Sequence, residues 1–130
     1  MLNISPRKVA HIILRAREFD AKVARWDRPG DVADADTILE SRSSDATESE
    51  LRSFIRNLND DEKISLVATM WIGRDTFFAA ELEEAQQVAA QEATTPTEDY
   101  LLGVPLLSDY LEEGLEKLGI SARDIEGELI

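Results

Sequence analysis

The sequence predicts an all-α protein: a compact single-domain bundle of about five to six helices, with a long Asp/Ala/Ser-rich loop after the first helix. Three observations predict it. Apolar residues recur at helical spacing along most of the chain, while the alternation that marks strands is missing. Helix-opening signals, a side-chain acceptor followed three residues later by an acid, stand before several of these stretches. Glycine and proline punctuate their ends. At 130 residues with 43% hydrophobic content, the chain is long enough to bury roughly two-thirds of its unfolded surface in one core.

Ser5 and Pro6 read as an N-cap and a first helical residue. Val9, Ile12, Ile13, Ala16, Phe19, Val23 and Trp26 then share one face, and Pro29-Gly30 ends the helix, so residues 1–28 form a basic first helix. Residues 29–46 offer only Val32, Ile38 and Leu39 to bury and read as loop, with one short turn around Thr37 to Glu40. The main helical core spans 47–119. Thr47 with Glu50 opens a helix carrying Leu51, Phe54, Ile55 and Leu58. Asn59 with Glu62 opens one that is apolar on nearly every side, from Ile64 to Ile72, and is expected at the centre of the bundle. A helix from about Thr76 to Glu92 is expected to turn Phe78, Leu82, Ala85 and Ala89 inward. Thr95 with Glu98 opens a short helix ending at Gly103, and Pro105 starts another that stops at Gly119. Ser121 to Glu126 read as a last turn within a tail over 120–130.

The stretch ATMWIGRDTFF, Ala68 to Phe78, joins the central helix to the next. Its expected structural reading puts Gly73 at the helix end in a left-handed conformation, Asp75 as the next N-cap, and Phe77 and Phe78 back in the core. Arg74 is the residue this reading explains least, and a guanidinium held at a tight corner could meet an internal acid or a partner's carboxylate or phosphate.

The segments LRSFIRNLNDDEKISLVATMWIGRDTF and DYLLGVPLLSDYLEEGLEKLG resemble a family of small bacterial proteins classed as domain of unknown function 3775. The likeness runs from about Thr47 to Gly119. It implies a bacterial, cytoplasmic, helical protein and implies no activity.

Charge is segregated. The formal net charge is −13. Residues 1–30 carry seven Lys or Arg against three acids, a net of +4, and residues 31–130 carry seven against twenty-four, a net of −17. So acidic a chain is repelled by nucleic acid unless Lys8, Arg15, Lys22 and Arg25 on the first helix override the global field. There is no cysteine, which removes thiolate metal sites, thiol nucleophiles and disulfides. The N-terminus lacks a signal-peptide core and no apolar run approaches membrane-spanning length, so a cytoplasmic protein without a membrane segment is expected.

Few constellations support catalysis. The single histidine, His11, is expected on the solvated face of the first helix among Lys8, Arg15 and Lys22, without a nucleophile beside it. One histidine cannot complete a di-iron carboxylate bundle. Asp31, Asp34 and Asp36 begin like a calcium loop but lack its later glycine and glutamate. No glycine-rich phosphate loop occurs. No catalytic residue, metal site or cofactor is therefore expected.

Two features carry binding potential. Asp109, Glu112, Glu113 and Glu116 form one carboxylate stripe, where like charges cost a few tenths of a kcal/mol per pair. Such a stripe faces water, docks on a basic surface, or weakly holds Mg²⁺ or Ca²⁺. Glu81 falls among Phe77, Ala85 and Val88, and an inward carboxylate needs a partner such as Arg56 or Arg74, or a proton. The favoured function is a non-enzymatic interaction or regulatory module whose partner is another protein or a second copy. The alternative is a small-ligand binder or enzyme with a pocket near Trp71, Arg74, Glu81 and Tyr100. The basic flank of Lys8, Arg15 and Lys22 is expected to meet the acidic stripe, within one chain or across a dimer, with Gly114 allowing another helix to approach closely.

Overall fold

A helix as apolar as Ile64 to Ile72 needs neighbours on several sides at once. The computed structural model, which describes residues 2–26, 46–92 and 95–129, supplies them. The described elements are α1 (Pro6–Trp26), α2 (Ala46–Arg56), α3 (Asp60–Gly73), a 3₁₀ turn (Ala79–Glu81), α4 (Leu82–Gln91), α5 (Thr97–Leu102), α6 (Leu107–Lys117) and α7 (Ala122–Leu129). There are no strands among the described residues, and seven α-helices stand where about five to six were expected. None is long and apolar enough to cross a membrane. The expected loop over 29–46 falls almost wholly outside the described residues.

α3 is the centre of the bundle. Every residue from Ser65 to Gly73 is buried, and the helix packs against α4, α5 and α6, while α1 packs against α2, α6 and α7. Full burial of side chains such as Leu66, Met70 and Ile72 contributes roughly 1.5–3 kcal/mol each. The helix opens with the expected capping box: the Glu62 N–H donates to Asn59 Oδ1 at 2.8 Å, and the Asn59 N–H donates to Glu62 Oε1 at 3.0 Å. Its buried hydroxyls are satisfied. Ser65 Oγ accepts from the Asn3 N–H at 2.9 Å and from Gln86 Nε2 at 2.8 Å, and the Thr69 hydroxyl donates to the Ser65 carbonyl at 2.8 Å.

The corner after α3 departs from the sequence expectation. Gly73 is the last residue of the helix, not a left-handed stop; the positive φ, 69°, falls on Asp75. The Thr76 N–H donates to the Trp71 carbonyl and the Asp75 N–H to that of Ile72, the Schellman pattern, with aspartate in the position usually held by glycine. Aspartate tolerates that conformation better than most residues, and Lys117 Nζ holds both its carboxylate and the Ile72 carbonyl. Asp75 therefore ends α3 and does not cap the following helix, which starts only at the 3₁₀ turn. Glycine is needed at position 73 for another reason. Gly73 and Gly114 mark where α3 crosses α6 backbone to backbone, so the close approach expected at Gly114 is made by α3 of the same chain.

Other boundaries shift by a residue or two. α2 begins at Ala46, so Thr47 lies inside its first turn. α5 is capped by Pro96, with no side-chain bond from Thr95. α6 starts at Leu107 after Leu106 adopts a left-handed conformation, two residues later than Pro105 suggested, and ends in a Schellman turn at Gly119 (φ 85°). The tail folds into α7, a full helix docked on α1 and α6. On α1, Val9, Ile12, Ile13 and Ala16 are buried as expected; the side chains of Phe19, Val23 and Trp26 lie outside the described set. His11 is not a solvated surface residue: its ring lies 4.6 Å from that of Phe54 at the seam between α1 and α2. Burial, then Arg15, hold it below the ordinary histidine range against an opposing pull from Glu50.

Candidate functional site

Asp60, Lys63, Ile64, Val67 and Trp71 recur at spacings of three and four, so they share one stripe of α3. That stripe forms one wall of a cleft of about 540 Å³. Ala89 and Ala90 of α4 form another, their small side chains leaving the space open, and Glu92 stands at its end. Thr95, just before α5, and Thr97 and Tyr100 of α5 close it. At the base, the Trp71 indole Nε1–H donates to the Tyr100 hydroxyl at 3.0 Å, and Phe77 stacks on Trp71 with ring centroids 5.7 Å apart. Trp71 is only 7% exposed, whereas Tyr100 is 36% exposed. Ligand pockets commonly fall between roughly 300 and 1,000 Å³, with mainly apolar walls and a few placed polar groups. This cleft has that character.

Of the four residues expected around a pocket, the structure brings Trp71 and Tyr100 together and leaves the other two outside the lining. Arg74 is exposed at the corner, where its Nε–H donates to the Thr76 hydroxyl at 3.2 Å. Glu81 is half-buried, and its Oε1 accepts the Phe78 N–H at 2.8 Å. It makes no ion pair with Arg74 or Arg56, and Arg56 instead faces Glu98 at 3.5 Å. The aspect that misled was the helix phase: with the corner running to Phe78, Glu81 falls in the 3₁₀ turn and caps it. Phe78, expected in the core, is 79% exposed.

The carboxylate stripe splits. Asp109, Glu113 and Glu116 are exposed, while Glu112 is half-buried and bound. Arg17 of α1 forks between Glu112 Oε2 and Glu126 Oε1, 3.0 Å from each, and Arg123 Nε lies 3.8 Å from Glu112. Burial, followed by the adjoining Glu112 carboxyl, pushes Glu126 above the ordinary glutamate range. Burial alone would do the same to Glu112, but hydrogen bonds from Glu126 and Arg17 outweigh it and hold Glu112 low. Among the described residues, no group of three or more His, Asp or Glu is placed to hold a metal ion.

Of the basic flank of α1, Lys8 and Arg15 meet acids outside the stripe, while the Lys22 side chain lies outside the described residues. Lys8 binds Glu62 at the α3 cap, keeping that carboxyl below its ordinary range, and Arg15 lies 3.6–3.7 Å from Glu18 and Glu50. Arg17, Lys63 and Glu126 were missed by sequence reasoning. Only the proximity of Arg17 to the α1 apolar face hinted at its role.

No curated protein and no solved structure matches this chain. Residues 48–120 match the family model described as protein of unknown function (DUF3775). Because that match spans more than half of the chain, and contains both the α3–α6 crossing and the whole lining of the cleft, the protein belongs to the DUF3775 family.

Proposed function

We propose that this chain is a non-enzymatic binding module and that the Trp71–Tyr100 cleft is its recognition site. The observation that carries the reading is the cleft itself: a ligand-sized hollow with an aromatic base, between helices that are otherwise tightly packed. A bacterial, cytoplasmic setting belongs to the same proposal and rests on the resemblance of Thr47 to Gly119 to a bacterial family. Docking on another protein or on a second copy is the second reading, favoured by Phe78 and by Leu106, which is 55% exposed.

One series of measurements separates the two. Ala90 is exposed and lines the cleft, so Ala90→Trp fills the hollow without entering the core. Compounds from a small-molecule collection should raise the melting temperature of the wild-type protein and lose that effect on Ala90→Trp. A set of hits that is empty, or indifferent to Ala90→Trp, would remove the cleft as the site. Light scattering on wild type and Phe78→Ser tests the second-copy form of the second reading, which fails if both are monomers at every concentration.

A further inference from the structure

Every lysine and arginine with a described side chain has a carboxylate within 4.0 Å, except Lys63 and Arg74. In a chain of net charge −13, carboxylates are in surplus, so a cation left without one is unusual. Arg74 has its own explanation: it is exposed and bonded to Thr76. Lys63 has none. It is half-buried in the wall of the cleft, and although Asp60 and Glu92 line the same hollow, neither comes within 4.0 Å of its ammonium. A half-buried lysine without an acid partner is the complement of an anion brought in from outside.

The rest of the cleft narrows that anion. The Trp71 N–H is already spent on the Tyr100 hydroxyl, so the two side chains offer ring surface, which suits a flat apolar body. Asp60 and Glu92 line the same hollow, so each negative charge beyond the one that Lys63 offsets is disfavoured, and the net charge of the chain works in the same direction. Phosphate esters and nucleotides are poorly matched on both counts. We infer that the cleft takes a singly charged carboxylate on a flat apolar body, an aryl carboxylate, with Lys63 holding the carboxylate and Trp71 and Tyr100 receiving the ring. The inference rests on the cleft being the recognition site and adds what it recognises.

The probes are naphthoate, its uncharged isostere naphthamide, and naphthyl phosphate, titrated into the ¹⁵N-labelled full chain and followed by amide chemical shifts. Naphthoate should perturb residues of the cleft and bind about tenfold more tightly than either of the others, the scale of one charge-assisted contact. Lys63→Met should erase the preference for naphthoate over naphthamide, and Lys63→Arg should keep it, with both variants retaining the wild-type spectrum elsewhere. If naphthoate and naphthamide bind the cleft equally in wild type and in Lys63→Met, the cleft stands as a site and the carboxylate assignment is overturned. If no probe perturbs the cleft at millimolar concentration, the aryl carboxylate inference falls. The cleft reading then falls too if the small-molecule collection yields no hit sensitive to Ala90→Trp.

Discussion

A methyl group added at Gly73 would sit 1.7 Å from the Tyr110 carbonyl oxygen, and one added at Gly114 would sit 2.1 Å from that of Thr69. Both obstacles are backbone, so neither can swing aside, and the two helices would have to part. Gly73→Ala is therefore expected to cost about 3 kcal/mol or more, at or beyond the upper end of overpacking penalties, despite the better helix propensity of alanine. Gly127, inside α7, provides the control, because a methyl there meets nothing within 4 Å. The same substitution at Gly127 should stabilise by about 0.5–1 kcal/mol. Chemical denaturation of the two variants checks both signs; a Gly73→Ala protein as stable as wild type would mean that α3 and α6 do not cross there. The two glycines were not equally legible in the sequence. Gly114 stood inside an apolar face, where a missing side chain can only serve close packing. Gly73 preceded Arg-Asp, looked like a stop, and was misread. Its partner lies on a helix far along the chain, while the left-handed turn is carried by an aspartate that Lys117 stabilises from that same helix.

α7 shows what an element can hide. Read from the sequence it is a weak turn in a polar tail, because Arg123, Asp124, Glu126 and Glu128 leave it little apolar surface. Its docking uses that polar set. Ala122 is buried against the core, Arg7 binds Glu128 at 2.7 Å, and Glu126, only 5% exposed, is held by Arg17 beside Glu112. Two carboxyls around one shared guanidinium are hard to ionise together. Glu126 Oε2 is buried with no donor to serve it, a poor place for a carboxylate oxygen and a good one for a hydroxyl facing Glu112. The sign follows from the raised value. A carboxyl that prefers its proton in the folded state contributes stability in full below its unfolded pKa, and loses it as pH rises through the folded pKa. The contribution of Glu126 should therefore decline with rising pH above the ordinary glutamate range, while the lowered Glu112 and Glu62 lose theirs as pH falls. Comparing Glu126→Gln with wild type isolates the first term, since the amide cannot ionise. The difference between their melting temperatures should change across weakly acidic pH in favour of the variant. A constant difference, or a Glu126 carboxyl that titrates at or below the usual glutamate value by NMR, would refute the shared proton.

At the scale of the molecule, the described residues use the segregated charge internally. The α1 cations with described side chains are each paired with acids on other elements: Lys8 with the α3 cap, Arg15 with Glu50 of α2, Arg17 with α6 and α7, and Arg7 with the end of α7. The sequence made the all-helical class and the central helix legible, since both follow from local spacing. Ion-pair partners and the cleft depend on which faces meet, and spacing does not specify that: it put Trp71 and Tyr100 near one another, but it assigned the stripe to Lys8, Arg15 and Lys22, whereas Glu112 is held by Arg17. The stripe on α6 provides the sharpest test of this picture. Glu112 and Glu116 lie one turn apart with the same formal charge, yet Glu112 faces Arg17 and Arg123 while Glu116 is exposed and has no cation within 4.0 Å among the described residues. Glu112→Lys places a third positive charge against two arginines and should cost about 2 kcal/mol, in line with loss of charge-assisted hydrogen bonds. The deficit should shrink only partly in high salt, because a half-buried cluster is less screened than the open surface. Glu116→Lys should change stability by no more than about 0.5 kcal/mol, with any gain coming from relief of the net charge. Denaturation curves of the two single variants at low and high salt decide the matter. Equal effects would mean that the stripe behaves as uniform surface and that Arg17 does not tie α1 to α6.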